Sequence, residues 1–256
     1  MKSKAFCGFL AVFVIFLCSG LAYAQQAKNQ MYLVSDCVTN PSTDAKFYEA
    51  LKEMLAFYTK YAFPYTWDVY GTGDYHYYYC IPVAGFADIE KFLKTDEEIM
   101  TKQAAEYQAL TAKFEGTYEF SEFQVYTFRP DLSYVAANPY YKPEETSYVA
   151  FDIWSVFPGK EMEAEKLLKE FLATCQKKGV RDSWYCYSGV MGVELGTYLM
   201  AGPDKSEAEF LNHNSEMWKL LGKDVEDIYN KLLAICRKRE YKRAWYQPEL
   251  SYSPKK

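Results

Sequence analysis

The sequence is poor in histidine, a frequent metal ligand and general base. It contains two histidines, His76 and His213, and has neither a CxxC nor an HExxH pattern. A site made of several histidines of one chain is therefore excluded, and the sequence predicts no metal and no cofactor. The 256 residues include 29 basic and 34 acidic side chains, a formal net charge of −5. Nucleic acid is not an expected partner, because neutralising phosphates requires an excess of clustered positive charge.

Long hydrophobic runs are missing after the first 24 residues, and residues 1–24 are predicted to be an export signal. Lys2 and Lys4 precede the apolar stretch 5–17, and Ala22-Tyr23-Ala24 is a small-x-small cleavage pattern. The apolar stretch is short for a membrane span, and no later segment is long and apolar enough to cross a bilayer. We expect a periplasmic or extracellular protein that begins at Gln25 and carries a charge of −7 (−5 − 2).

Five cysteines remain after residue 24, and they do not form a repeated framework. Their number is odd and their positions do not recur along the chain, so free thiols are favoured over a set of shared disulfides. One bridge in an oxidising compartment stays open. The residues are Cys37, Cys80, Cys175, Cys186 and Cys236.

The dominant feature that is present is an internal repeat. Trp67 and Tyr70 recur 117 positions later as Trp184 and Tyr187, and FRPDLSY at 128–134 returns as YQPELSY at 246–252. A period of this length indicates a duplicated domain. The predicted organisation is a first repeat at 31–130, a linker at 131–146, a second repeat at 147–248 and a C-terminal tail at 249–256. Each repeat is large enough to bury a core.

Each repeat reads as strand, helix, strand, strand, helix, strand. This βαββαβ order is the ferredoxin-like unit, in which helices cover one face of the sheet. The other face must also be buried. The predicted fold class is therefore α+β, with two tandem ferredoxin-like repeats packed sheet to sheet as an intramolecular barrel.

Two matched segments carry a resemblance to a known superfamily. VAGFADIEKFLKTDEE at 83–98 and MAGPDKSEAEFLNHNSEMW at 200–218 each run from a strand through Ala-Gly into a helix. With the element order, they resemble the dimeric α+β barrel superfamily in a fused form, which includes antibiotic-biosynthesis-type monooxygenases, NIPSNAP-like proteins and chlorite dismutases. The resemblance implies a ligand in the lumen between the sheets. Heme-degrading members carry an iron-ligating histidine where this chain has Lys102 and Leu220, which disfavours heme, although tyrosine can also ligate heme iron.

Alternation along the strands predicts which side chains face that lumen. The first strands would direct tyrosines, a tryptophan and the pair Asp36 and Asp152 inward, whereas His76 would pack under a helix. A slip of one residue would reverse each assignment. The predicted ligand-binding residues are Tyr32, Asp36, Tyr77, Tyr79, Tyr148, Asp152, Trp154, Glu194, Tyr198 and Arg243.

Three residues are candidates for catalysis. Asp36 or Asp152 in a tyrosine-lined cavity would have a raised pKa, as a general acid or base often needs, or would serve as a buried acceptor for tyrosine hydroxyls. His213 precedes the predicted long helix of the second repeat, where some monooxygenases of the superfamily carry a histidine; it is also read as an exposed cap residue. Glu194 and Arg243 would pair with each other or fix an acidic ligand.

Three classes of function follow from these features. The 25 tyrosines and the lack of a nucleophile–base motif favour an exported protein that binds a small, mostly apolar or aromatic molecule. The alternatives are an oxygenase-type enzyme of the same superfamily and a structural or assembly protein whose lumen is filled by its own side chains. Fold alone does not choose among them, and homo-oligomerisation is left open.

Overall fold

The computed structural model describes residues 30–254, so the predicted export signal at 1–24 lies outside the described residues. Eight strands and six α-helices are found in this range. The strands are β1 (Met31–Thr39), β2 (Asp68–Thr72), β3 (His76–Val83), β4 (Tyr118–Phe128), β5 (Tyr148–Val156), β6 (Tyr185–Met191), β7 (Thr197–Asp204) and β8 (Cys236–Tyr246). The helices are α1 (Asp44–Lys60), α2 (Phe86–Lys102), α3 (Ala104–Thr111), α4 (Glu161–Lys178), α5 (Glu207–Leu221) and α6 (Lys223–Ile235).

The eight strands form one closed antiparallel barrel. Their order around the barrel is β1-β3-β2-β8-β5-β7-β6-β4. Strands β1 to β4 are contiguous in it, as are β5 to β8, and the two sets join at the pairs β2–β8 and β4–β6. Closure leaves no sheet edge unpaired. The predicted α+β class with a barrel is confirmed.

The helices pack on the outside of the barrel through one apolar face each. In α1, Phe47, Ala50 and Phe57 recur at helical spacing and are buried. Helix α4 ends at Gly179, whose φ of 66° is the left-handed conformation that a glycine adopts without a Cβ penalty. Apolar side chains fill the space between helices and sheet, so a second, inner set of residues is left to line the lumen.

Two aromatic contacts fasten the segments that follow β4 and β8 to the barrel. Tyr134, after β4, lies against Trp184 with ring centroids 4.8 Å apart. Tyr252, after β8, lies against Trp67 with centroids 4.7 Å apart. The interplanar angles are 31° and 33°. We call these contacts the two clasps, and each joins one set of four strands to the other.

The same tyrosines donate equivalent hydrogen bonds. The Tyr134 hydroxyl donates to the carbonyl oxygen of Val180 at 2.8 Å. The Tyr252 hydroxyl donates to the carbonyl oxygen of Phe63 at 3.0 Å. Both tyrosines are buried, so each hydrogen bond satisfies polar groups that water does not reach.

Two further expectations concern thiols and membrane spans. Cys37, Cys80, Cys175, Cys186 and Cys236 are all free thiols. Within residues 30–254, no helix has both the length and the apolar character needed to cross a bilayer.

Candidate functional site: the barrel lumen

The barrel encloses a cavity of about 780 Å³. Ligand sites for small molecules commonly have about 300–1,000 Å³ and mostly apolar walls. The inward-facing positions of the strands supply aromatic and aliphatic side chains here, with tyrosine prominent among them. Lining residues include Tyr32, Tyr70, Tyr78, Tyr126, Phe151 and Tyr187.

The two ends of the lumen differ in character. At one end Tyr141, from the segment between β4 and β5, is buried and packs with the lumen aromatics. At the other end the wall becomes polar, with Asp36, His76, Glu122 and Lys242 among its residues. A molecule in the lumen would therefore have an aromatic closed end and a polar end for chemistry.

Asp36 and His76 form a hydrogen-bonded pair at the polar end. Nδ1 of His76 lies 2.8 Å from Oδ1 and 3.1 Å from Oδ2 of Asp36. The His76 side chain is 18% exposed and the Asp36 side chain is 6% exposed. Because a carboxylate accepts hydrogen bonds and does not donate them, Nδ1 carries a proton, and Nε2 is the ring nitrogen that faces Asp74. The Tyr78 ring stacks on the imidazole at a centroid distance of 5.6 Å and restricts its rotation.

Neighbouring charges at the polar end are paired. Lys242 Nζ lies 2.7 Å from Oδ2 of Asp74, which is itself 3.8 Å from Nε2 of His76. Burial opposes ionisation of Asp74, but hydrogen bonds from Lys242 and Thr72 outweigh it and lower the pKa of this carboxyl group. The rim thus presents compensated charges rather than a field of one sign.

Buried tyrosines in the lumen remain protonated at neutral pH. Burial raises the pKa of Tyr78 and the pKa of Tyr126 well above their usual range, and the negative charge of Asp36 raises them further. Their hydroxyl groups therefore act as neutral hydrogen-bonding groups beside the aromatic surface.

Three of the predicted ligand-binding residues lie on the lumen wall. Tyr32 and Asp36 project inward from β1, and Glu194 reaches the polar end from the connection between β6 and β7. Glu194 pairs with Arg237. Arg243, its predicted partner, instead contacts Glu207 at 3.0 Å and is 60% exposed, so the expected Glu194–Arg243 pair is wrong.

The predicted orientation of β3 is reversed. Tyr77 and Tyr79 pack in the outer core under the helices, whereas His76 and Tyr78 line the lumen. The reason is the pairing of the strands: Asp36 of β1 stands directly opposite Tyr78 of β3. Directly opposed residues of an antiparallel pair project to the same face. Applying that rule to β1 and β3 would have brought His76 into the site together with Asp36.

The predicted orientation of β5 is also wrong by one residue. Val149, Phe151 and Ile153 line the lumen, and Tyr148 and Trp154 pack toward the helices. The repeat spacing of 117 matches Tyr32 to Val149, whereas the sequence-based assignment places Tyr148, one residue earlier, in the lumen. Because side chains alternate along a strand, a shift of one position inverts the whole set.

Asp152 and Tyr198 are bound on the outer side of the sheet. Asp152 accepts two hydrogen bonds from Arg239, both of 2.7 Å, and the guanidinium lies 4.5 Å from the ring centroid of Trp154. The Tyr198 hydroxyl donates to Glu165 of α4 at 3.2 Å. Asp152 is therefore a structural acceptor, which removes the expected pair of lumen carboxylates.

His213 lies within α5 rather than before a helix, so the predicted cap position is wrong. Its Nδ1 is 2.7 Å from Oδ2 of Asp204. The imidazole stacks on Tyr140 with centroids 3.8 Å apart and an angle of 3°. His213 does not line the lumen cavity, so it stands apart from the Asp36–His76 pair.

The positions that the superfamily resemblance assigns to a heme ligand do not fit that role. Lys102 is the last residue of α2, its side chain is 69% exposed and it contacts Glu98. Leu220 is 48% exposed near the end of α5. Neither residue presents an imidazole, thiolate or phenolate to an enclosed space, as axial ligation of heme iron requires.

Comparison with known proteins identifies the fold. No family model matches the sequence, and no curated protein matches it. An anthrone oxidase-like protein is 13% identical with a TM-score of 0.57, over 87% of this chain and 92% of that one. A variant chlorite dismutase from Candidatus Nitrospira defluvii is 9% identical with a TM-score of 0.51, over 88% and 94%. A candidate monooxygenase from Fusobacterium nucleatum subsp. nucleatum is 11% identical with a TM-score of 0.50, over 87% and 93%.

These identities show the fold alone. The neighbours named above share the α+β barrel fold with this chain, which agrees with the fold class expected from the sequence. What each of them does is a property of that protein, because one fold hosts many reactions. The function of this chain has to be argued from its own lumen.

Proposed function

We propose that the lumen is the active site of an oxygenase-type enzyme that binds a small aromatic molecule and removes a proton from it with His76. One observation carries the proposal. A hydrogen-bonded Asp36–His76 pair stands at the polar end of an aromatic-lined cavity of about 780 Å³.

The walls favour a mostly apolar, planar ligand. Aromatic rings of the barrel can meet a flat ring edge to face or offset, in the geometries that aromatic pairs prefer. Tyr78 and Tyr126, kept neutral by burial, offer hydroxyl groups for one or two polar substituents. This composition fits a phenol or an enolisable aromatic ketone better than a sugar or a highly charged metabolite.

The Asp36–His76 pair fits the role of a general base. Asp36 holds Nδ1–H and so fixes the tautomer that leaves Nε2 to accept a proton, and its carboxylate stabilises the imidazolium that forms. A substrate that loses an acidic O–H or C–H proton becomes an electron-rich anion, which donates electrons to dioxygen more readily than the neutral molecule. A positioned base of this kind contributes about 10²- to 10⁴-fold to a rate.

The structural neighbours support the same class of reaction. They include a candidate monooxygenase and an anthrone oxidase-like protein, and anthrone is an enolisable aromatic ketone of the kind described above. The Asp36–His76 pair supplies a base, which turnover requires and binding alone does not. A purely structural barrel would fill its lumen with its own side chains, and the cavity of about 780 Å³ counts against that alternative.

Oxygen consumption with anthrone as the probe tests the proposal. We expect uptake by the wild-type protein, a loss of about 10²-fold or more in His76→Gln and a smaller loss in Asp36→Asn. Asp152→Asn is the matched control, because Asp152 is an aspartate on β5 that contacts Arg239 outside the lumen. Equal turnover in His76→Gln and the wild type would contradict the role of the base. Binding of anthrone without oxygen uptake would favour the binding protein.

We also propose that the two sets of four strands are tandem ferredoxin-like repeats. The spacing of 117 between Trp67 and Trp184, the same element order in both halves and the two equivalent clasps support duplication. If so, one chain supplies both halves of a barrel that unfused relatives would build from two copies.

Export by residues 1–24 remains part of the proposal. The basic start, the apolar stretch and Ala22-Tyr23-Ala24 support it. Intact-mass analysis of the protein from its own host should give a chain that begins at Gln25. A mass that retains residues 1–24 would refute the cleavage.

A further inference from the structure

A second polar cluster lies beside Tyr141, and the proposed reaction does not use it. Asp182, Asp204 and His213 each offer one ligand atom, and these atoms lie within 4.8 Å of one another. Asp204 is fully buried, and the His213 side chain is 17% exposed. Carboxylate oxygen and imidazole nitrogen are common ligands of divalent transition-metal ions.

The fold brings these residues together from three separate elements. Asp182 lies in the connection between α4 and β6, Asp204 is the last residue of β7, and His213 is in the second turn of α5. The Asp204 carboxylate accepts the backbone N–H of Lys205 through Oδ1 at 2.7 Å and faces His213 through Oδ2. Stacking on Tyr140 fixes the plane of the imidazole.

A buried hydroxyl group beside the cluster lacks an acceptor. Tyr141 is 5% exposed, and within residues 30–254 its hydroxyl proton has no hydrogen-bond acceptor. Asp204 and Asp182 lie near enough that their charges act on this hydroxyl group. An unsatisfied polar group in a buried place costs about 1–3 kcal/mol, so its position calls for an explanation. Its oxygen accepts the backbone N–H of Ser183, so only the proton is unmatched. A carboxylate oxygen that turns toward a bound cation, or a water on that cation, can accept this proton.

We propose that Asp182, Asp204 and His213 bind one divalent transition-metal ion, with the Tyr141 oxygen beside it. Two carboxylates neutralise the charge of a dication, and one imidazole favours Mn²⁺, Fe²⁺ or Zn²⁺ over Ca²⁺. The ion takes the place of the proton between Nδ1 of His213 and Oδ2 of Asp204, and that proton is released to water. Nδ1 of His213 and Oδ2 of Asp204 are 2.7 Å apart and separate slightly to admit the ion, and the Asp182 carboxylate turns toward it, so that each bond reaches about 2.0–2.2 Å.

Binding would fasten the segment that closes the lumen. Tyr140 stacks on a metal ligand and Tyr141 packs among the lumen aromatics, so an ion held at His213 fixes both. The site is structural in this inference, and it does not depend on the reaction at His76.

Binding of Mn²⁺ to chelator-treated protein, counted by electron paramagnetic resonance of the free ion, tests this inference. Mn²⁺ is the chosen probe because it prefers oxygen and nitrogen ligands and leaves the five free thiols aside. We expect one ion per chain in the wild type and at least tenfold weaker binding in Asp182→Asn and in His213→Gln. His76→Gln is the matched control, since His76 also pairs with an aspartate, and its affinity should equal that of the wild type.

Other results would overturn the inference. Absence of binding, unchanged binding in both Asp182→Asn and His213→Gln, or loss of binding in His76→Gln alone would each refute the site. Asp204→Asn is a less useful variant, because a fully buried aspartate also supports the fold. Circular dichroism of Asp182→Asn and His213→Gln confirms that any loss of affinity belongs to folded protein.

Discussion

The two clasps predict that two distant tyrosines contribute equally to stability. Tyr134→Phe removes a hydroxyl group that donates to Val180 at 2.8 Å, and Tyr252→Phe removes one that donates to Phe63 at 3.0 Å. Each change keeps the ring that packs on a tryptophan. A lost hydrogen bond of this kind, with its acceptor left in a buried place, costs about 1–2 kcal/mol. We expect that loss from each variant, and a fall in Tm of about 2–4 °C per kcal/mol.

Urea unfolding followed by circular dichroism measures both losses. Tyr48→Phe is the control, because the Tyr48 hydroxyl contacts Glu249 in an exposed setting, and it should change stability by no more than about 0.5 kcal/mol. The two clasps share no residue, so the double variant should lose about the sum of the single losses. A cost near zero in one clasp beside a full cost in the other would refute their equivalence and weaken the case for duplication.

Four further variants test other parts of the structure. Hydrogen bonds from Arg129 lower the pKa of Asp131 to about 2; the stabilisation is present above about pH 4 and is lost as the pH falls toward 2. Asp131→Asn should therefore lower the free energy of unfolding by up to about 1 kcal/mol at pH 7, since the carboxylate is 45% exposed. Near pH 2 the change should have no effect. The midpoints of urea unfolding measure both values. Gly192→Ala should lower the free energy of unfolding by more than about 2 kcal/mol in the same assay, because Gly192 has a φ of +73° and an added Cβ would overlap a carbonyl oxygen of β4. Gly159→Ala is the control: its Cβ would meet open space, so the loss should be about 1 kcal/mol. Tyr79→Phe should leave stability unchanged or raised on thermal melting, since its buried hydroxyl has no hydrogen-bond partner among residues 30–254; a loss above about 1 kcal/mol would contradict this.

The sequence predicts the α+β barrel well because the same order of strands and helices is read twice along the chain. The spacing from Trp67 to Trp184 and the alternation of helices and strands suffice to derive an α+β barrel. The sequence shows that segments 128–134 and 246–252 are similar, but it does not show that their tyrosines form the two clasps. Contacts such as Tyr252 with Trp67 join residues far apart in the chain, and local pattern carries no information about them.

The lumen side of each strand was harder to predict. Tyrosine occupies both faces of β3, with Tyr77 in the outer core and Tyr78 in the lumen. In a chain with 25 tyrosines, apolar character therefore does not distinguish inside from outside. Pairing between strands does, and it unites Asp36 with His76. The cluster of Asp182, Asp204 and His213 carries even less local signal, because its members come from three elements that meet only in the folded chain.

The most direct test of the central claim is the side-chain NMR spectrum of the two histidines during titration with 1-naphthol, a small soluble phenol. Since His76 and His213 are the only histidines, the His213→Gln variant assigns both rings at once. We expect the His76 resonances to move with added phenol while those of His213 stay in place. If His76 stays in place at concentrations that saturate the protein, or if only His213 responds, the lumen is not the binding site for aromatic molecules proposed above.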